Sequence, residues 1–205
     1  SGLQQQSTIG LVGAEMASQP GIAGLCEFIG QAGGRVSPSS LKADVITKDL
    51  AHAVGHNNNH SVTIAPEAGS ERMRRVINKN LTEPEILGAA DLLVGGGVRA
   101  LKLYFMIGLP TETYEDVEAI ASLTQKIHAR FSGKQAKVGG ITLSVNAFVP
   151  KPWTPLQWEP MEELSALRQK MTLLRKQLAR LPRVKVDTES PREAYYQTLL
   201  SRGDR

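Results

Sequence analysis

The sequence of 205 residues predicts an α/β fold, a partial TIM-like (β/α) barrel with an open parallel sheet plus a C-terminal helical appendage. Segments with the composition of strands alternate with segments of helical periodicity, and most connections between them are short. This alternation favours parallel strands joined by right-handed helical crossovers. The alternation stops at a proline-rich segment, after which a long charged helix is predicted. We therefore divide the chain into a partial barrel, residues 1–155, and a helical extension, residues 156–205.

The predicted strands of the barrel are runs rich in β-branched and aliphatic residues, most of them bounded by polar or glycine-bearing turns. They span Thr8–Val12, Arg35–Ser37, Ser61–Ala65, Ala100–Ile107 and Gly140–Phe148. One further short strand, Arg183–Val186, is predicted within the extension.

The predicted helices follow from apolar periodicity and from capping residues. Thr47 is expected to cap the second helix, and Thr82 with Glu85 has the pattern of a capping box. The polar run His56–His60 is predicted to be a loop. The helices span Gly21–Gln31, Thr47–Gly55, Ser70–Ile77, Glu83–Val94, Thr113–Phe131, Met161–Arg180 and Pro191–Ser201.

Composition restricts the class of protein. Hydrophobic residues make up 41% of the chain and charged residues 21%, which is ordinary for a soluble globular body. Apolar runs stay well below the roughly 20 residues of a membrane span, and Cys26 is the one cysteine, as in a reducing compartment. We expect a cytoplasmic protein with no membrane partner. The net charge of +4 is compatible with nucleic acid but not diagnostic of it.

Two polar turns that follow apolar strands are the candidate site. They lie in Thr63–Arg72 and in Leu103–Thr113. In parallel α/β proteins such turns meet at the carboxyl edge of the sheet, where ligands bind. Glu67 is expected to point into that crevice and to accept hydrogen bonds from an amino or ribose group. The alternative is that Glu67 and Ser70 only cap the next helix.

The second turn contains Gly108, Leu109 and Pro110. Glycine allows the chain to approach a flat ring closely or to take a positive φ, and proline fixes the turn before the helix. An ordinary connection between strand and helix, with no ligand, is the alternative.

The order of these segments resembles the radical S-adenosylmethionine (radical SAM) superfamily. Pro38–Asp44 is similar to its "PSLRxD" turn, Thr63–Arg72 to "APEAGSER", and Tyr104–Thr113 to "YFMIGLPxET". Asn78 and Lys79 match the "NK" that follows one helix later. The resemblance runs from Ile9 to about Pro155. It is closest to the cobalamin-associated branch and more distant to the methylthiotransferases.

The resemblance implies a set of contacts to S-adenosylmethionine. Ser40 stands where distant relatives place a glutamate, and Lys42 replaces an arginine and so loses the bidentate fork. Lys79 is expected near the cofactor's carboxylate, unless it is only a solvated base. No catalytic residue and no metal ligand is assigned. The implied cofactor-binding residues are Ser40, Lys42, Glu67, Lys79, Gly108, Leu109 and Pro110.

The superfamily's iron–sulfur cluster has no ligand set in this chain. Relatives hold a 4Fe-4S cluster with the cysteines of a CxxxCxxC loop, whereas Cys26 stands alone. We therefore expect a longer protein that supplies the cluster loop. The start Ser1–Gln6, which has no methionine, supports this expectation. A cobalamin cofactor is compatible with the resemblance.

The resemblance thus implies contacts for 5′-deoxyadenosyl-radical chemistry in a part that is inactive alone. One alternative is a non-catalytic binding or scaffold module, directed to RNA through its basic C-terminal helices; another is a barrel enzyme of different chemistry. The open barrel edge favours dimerisation.

Val149–Trp158 resembles the family segment "PKPHTPFQW". Trp153 and Trp158 are expected to cover the barrel mouth, to dock an absent domain or to seal the barrel bottom.

Overall fold

The computed structural model describes residues 8–13, 15–56, 61–133 and 140–203. Short 3-10 turns occupy Met16–Ser18 and Ala43–Val45. The strands are β1 (Thr8–Leu11), β2 (Arg35–Pro38), β3 (Ser61–Glu67), β4 (Ala100–Ile107), β5 (Gly140–Ala147) and β6 (Val184–Thr188). The helices are α1 (Ile22–Gln31), α2 (Lys48–His56), α3 (Glu71–Val76), α4 (Glu83–Gly95), α5 (Tyr114–Gly133), α6 (Leu164–Leu178) and α7 (Pro191–Arg202).

Every strand pairing in the described residues is parallel. Strand β1 pairs with β2, and β3, β4, β5 and β6 form a four-stranded sheet in chain order. A single bridge between Leu41 and Ile64 connects the chain after β2 to β3. Spatial order that follows chain order, with a helix after nearly every strand, is the arrangement of successive units of a (β/α) barrel. The predicted fold class is therefore confirmed.

Strand β6 extends the main sheet. It pairs with β5 from Ile141 opposite Val184 to Val145 opposite Thr188. The strand itself was predicted inside the extension, but its place in the sheet was not. The division of the chain at residue 155 stays a prediction.

The two faces of the sheet differ. In β4, Leu101, Leu103 and Phe105 are buried in the core shared with the helices, whereas Lys102 and Tyr104 on the opposite face are half-buried. Strand β5 repeats this alternation. Helices cover one face, and the other face remains available to a ligand, as in the interior of a partial barrel.

The predicted caps hold and several boundaries shift. The Leu50 N–H donates to Thr47 Oγ1 at 3.2 Å, and Thr82 with Glu85 forms the capping box. Helix α2 continues through His56, so the loop predicted from His56 was wrong at that residue, and its remainder, residues 57–60, lies outside the described residues. Strand β3 runs to Glu67 rather than Ala65. Among the described helices, none has both the length and the hydropathy that a bilayer crossing requires.

Close backbone packing at Gly69 yields the first prediction. A Cβ at Gly69 would lie 2.3 Å from Ile120 N on α5, whereas a Cβ at Gly88 on α4 would meet no heavy atom within 4 Å. Gly69→Ala should therefore lower the free energy of unfolding by more than about 2 kcal/mol. The matched control Gly88→Ala should be neutral or stabilise by about 0.5–1 kcal/mol. Urea unfolding measures both, and a Gly69→Ala protein as stable as the control would contradict this packing.

Candidate functional site

A cavity of about 880 Å³ lies at the carboxyl ends of β3, β4 and β5. A second cavity of about 320 Å³ lies beside the turn after β2. Ser40, Ala65 and Glu67 line both cavities. These volumes suit small-molecule ligands, and the carboxyl edge of parallel strands is where such ligands bind.

Glu67 ends β3 in an unusual backbone conformation. Its φ is 68°, and the pairing register of β3 with β4 shifts between Ile64 and Glu67. A positive φ is uncommon outside glycine and costs energy, so it persists only where the surroundings enforce it. The Glu67 carboxylate accepts a hydrogen bond from Lys79 Nζ at 3.1 Å. Both side chains retain solvent access, with 29% and 21% exposed.

A buried arginine holds the turn that follows Glu67. Arg74 donates to the carbonyl oxygens of Ala68 and Gly69, both at 2.9 Å, and to that of Leu81 at 2.6 Å. Burial lowers the pKa of Arg74, against the opposing charges of Glu71 and Glu83. A guanidinium stays charged in proteins and offers several fixed donors. The arginine therefore fixes the main chain at Ala68 and Gly69, the two residues that follow Glu67.

Asp116 on α5 joins the turn after β3 to the turn after β4. Its carboxylate accepts from Ser70 Oγ at 2.6 Å, from the Thr113 N–H at 2.9 Å and from the Arg72 guanidinium. Arg72 also donates to the Thr111 carbonyl at 2.8 Å. Burial of Asp116 opposes its ionisation, but these hydrogen bonds outweigh burial and lower its pKa to about 2.

The helix-cap alternative applies to Ser70 and not to Glu67. Ser70 Oγ accepts from the Met73 N–H at 3.1 Å and so caps α3. The Glu67 carboxylate instead pairs with Lys79 beside the cavities. Its carboxylate is therefore not a cap of α3, and a ligand contact at Glu67 stays a prediction.

The turn after β4 is shaped by packing against α6. Gly108 has a φ of 77°, and a Cβ there would lie 2.8 Å from Leu167 Cδ2. The Gly108 N–H donates to Glu112 Oε2 at 2.7 Å. The buried Glu112 pairs with Lys170, which also pairs with Glu162, each at 2.7 Å. Burial raises the pKa of Glu112. These contacts account for glycine at position 108 without a ligand.

The structure brings most of the predicted cofactor residues to the two cavities. Lys42, Lys79, Ser40 and Glu67 line the smaller cavity, and Leu109 lines the larger one. The Lys42 Nζ lies 3.0 Å from the Asp44 carboxylate. Gly108 and Pro110 are absent from the linings of these two cavities. The cofactor contacts of all seven residues stay predictions.

Further lining residues were missed at the sequence level. They are Lys102 on β4, Ser144 and Asn146 on β5, and Glu189 and Gln197 from the extension. For the strand residues a signal existed, because polar side chains alternate with buried apolar ones along β5. Glu189 and Gln197 gave no signal, because they reach the cavity only through tertiary packing.

The proline-rich segment lies beside the larger cavity. Thr154, Pro155 and Leu156 line it, whereas Trp153 and Trp158 are 95% and 81% exposed. The two indoles therefore neither cover the cavity nor seal the barrel, and docking of another domain stays a prediction.

In the described part of the chain, no group of three or more His, Cys, Asp or Glu side chains is arranged to hold a metal ion. Cys26 is fully buried in α1. Burial, with a smaller effect of Glu27, raises the pKa of its thiol. A raised pKa disfavours the thiolate that binds metal.

Sequence comparison identifies a longer relative. No family model matches the chain. An uncharacterised protein of Methanocaldococcus jannaschii is 36% identical over 196 residues, which are 96% of this chain and 41% of the relative. This chain thus spans about two fifths of that relative's length.

Three solved structures share the fold. SuiB of Streptococcus suis, bound to S-adenosylmethionine, has a TM-score of 0.61 at 13% identity, covering 93% of this chain and 41% of SuiB. The radical SAM enzyme HemN of Escherichia coli has a TM-score of 0.59 at 13% identity, and the match covers 83% of this chain and 40% of HemN. Elp3 of Methanocaldococcus infernus has a TM-score of 0.60 at 10% identity, and the match covers 97% of this chain and 55% of Elp3. The chain therefore has the fold of part of these proteins, while the cobalamin-associated branch stays a prediction.

The lowered pKa of Asp116 yields the second prediction. Its folded value of about 2 lies below the ordinary 3.8, so its stabilisation is present above pH 4 and is lost as the pH falls toward 2. That shift corresponds to roughly 2 kcal/mol. Asp116→Asn should lower the free energy of unfolding by about that amount at pH 7 and by much less near pH 2.5. Asp49 is exposed, so Asp49→Asn is the control and should change the free energy of unfolding by less than about 0.5 kcal/mol. Urea unfolding at several pH values measures this, and a pH-independent loss would refute it.

Proposed function

We propose that this chain is part of a radical SAM enzyme and forms the wall of its barrel that binds S-adenosylmethionine and substrate. The observation that carries the proposal is the Glu67–Lys79 pair at the carboxyl edge of the sheet, between two cavities. The motif resemblance supports it, as does a fold shared with the radical SAM enzyme HemN and with SuiB, which was solved with bound S-adenosylmethionine.

The residues at this edge fit the cofactor's chemistry. The methionine end of S-adenosylmethionine carries an ammonium and a carboxylate, and Glu67 and Lys79 offer the two complementary charges with 3.1 Å between them. When the cofactor binds, each charge exchanges a partner within the chain for one on the ligand, so neither charge is left unpaired. Ser40 offers a hydroxyl to the ribose, and Leu109 an apolar contact to the adenine.

The residues do not fit an iron–sulfur cluster. One buried cysteine with a raised pKa cannot replace the several thiolates that a cluster needs. We therefore propose that residues outside this chain hold the cluster and that this chain alone is inactive. When bound, the cofactor supplies radical chemistry, whereas these residues bind it, orient it and exclude water.

A binding module directed to RNA is the second candidate. It is favoured by the exposed aromatic side chains of Trp153, Trp158 and Tyr196, since nucleic-acid bases stack on such rings. It leaves the two cavities and the strained Glu67 without a role, so we prefer the enzyme. Dimerisation through the barrel edge stays a prediction.

Cofactor affinity yields the third prediction. Glu67→Gln should weaken the binding of S-adenosylmethionine to this chain by about ten- to a hundred-fold, since a hydrogen bond to a charged group contributes roughly 1.5–3 kcal/mol. The melting temperature should change little, because a partly exposed ion pair contributes only about 1 kcal/mol or less. Isothermal titration and thermal melts measure the two effects.

The exposed Glu163→Gln is the matched control, because Glu163 lines neither cavity. It should bind the cofactor as the wild type does. Absence of binding to the wild type, or equal affinities of wild type and Glu67→Gln, would refute the proposed role.

A further inference from the structure

The inner face of the sheet carries a lysine that the proposed cofactor contacts leave unused. Lys102 lies on β4 between Thr63 of β3 and Thr142 of β5, and it lines the larger cavity. Its Nζ lies 5.0 Å from the ring centroid of Tyr104, two residues further along the strand. The side chain therefore runs along the sheet toward Tyr104, which also lines the larger cavity.

Lys102 has no counter-charge on the described protein. The ion pairs of the described residues join other cations to carboxylates. Lys151, which also lines the cavity, is likewise outside these pairs. Of the two carboxylates in the lining, Glu67 is already paired with Lys79, which leaves Glu189. A cavity with more unpaired cations than unpaired carboxylates attracts an anion.

The opposite end of the cavity is apolar. Met106, Leu109, Phe148 and Leu156 line it and pack against one another near the strand ends. Met106 lies four residues beyond Lys102 on β4, a distance of about 13 Å at about 3.3 Å per residue. The cavity therefore combines the Lys102 charge on the sheet with an apolar cluster near the strand ends.

We propose that this cavity binds an amphipathic substrate, with a carboxylate or phosphate held by Lys102 and an apolar chain or ring held by Met106 and Leu156. Lys102 is the specificity-determining residue. The assignment of this ligand as a substrate rests on the proposed function, whereas the binding preference follows from the cavity. In the proposed function the methionine end and ribose of the cofactor lie at Ser40, Glu67 and Lys79, and its adenine lies at Leu109, so the substrate contacts are assigned to Lys102, Met106 and Leu156.

Octanoate and its neutral isostere octanamide test this proposal by isothermal titration on the chain. The wild type should bind octanoate about ten-fold or more tightly than octanamide, because a hydrogen bond between charged groups contributes roughly 1.5–3 kcal/mol. Lys102→Met keeps an unbranched side chain that is one heavy atom shorter and removes its charge, and it should abolish the preference. The exposed Lys48→Met should keep the preference. Equal affinities of the wild type for the two ligands, or a preference that persists in Lys102→Met, would overturn the inference.

Two further measurements keep this result separate from the proposed function. Lys102→Met should bind S-adenosylmethionine with wild-type affinity, whereas a parallel loss of both ligands would mean that Lys102 serves the cofactor, which overturns the inference. A charge preference in a chain that does not bind S-adenosylmethionine would overturn the proposed function and keep the inference. If Lys102→Met does not unfold cooperatively, the NMR signal of the Met106 methyl group should still shift with octanoate in the wild type, and an unchanged signal would refute the site.

Discussion

The buried guanidinium of Arg74 is the contact on which the candidate site depends most. It donates to the carbonyl oxygens of Ala68, Gly69 and Leu81, and a buried carbonyl without a donor costs free energy. Because two of these carbonyls directly follow Glu67, the arginine fixes the turn that keeps Glu67 at a positive φ. Asp116 secures the same turn from α5. The strain at Glu67 is thus maintained by hydrogen bonds behind it, and its carboxylate remains available beside the cavities.

The residues of the turn after β3 have different structural roles. In Thr63–Arg72, Gly69 packs against α5, Ser70 caps α3 and Arg72 binds Asp116. Glu67 is the charged residue of this segment that lines the cavities. The turn after β4 is similar. Gly108 and Glu112 contact residues of α6, whereas Leu109 lines the larger cavity. Much of each motif therefore specifies how neighbouring units of the barrel join.

The features that could be predicted from the sequence are those that depend on residues close together in the chain. Alternation of strand and helix signals identified the fold class, and Thr47 and Thr82 marked helix starts because capping is a short-range interaction. The place of β6 in the sheet was missed because the proline-rich segment interrupts the alternation of strand and helix signals before it. The contact of Gly108 with Leu167 was hidden because it depends on how α6 packs against the turn after β4. Ser144 and Asn146 follow the alternation along β5, but they lie within the strand and not in the turn after it, where ligand contacts were expected.

A crystal structure of the chain with S-adenosylmethionine tests the central claim most directly. The ligand should lie at the carboxyl ends of β3 and β4, with its ammonium on Glu67, its carboxylate on Lys79 and its adenine near Leu109. Glu67 should keep its positive φ, because Arg74 and Asp116 hold the turn independently of the ligand. A ligand bound elsewhere on the chain, or one that leaves the Glu67–Lys79 pair untouched, would contradict the proposed role of this edge of the sheet.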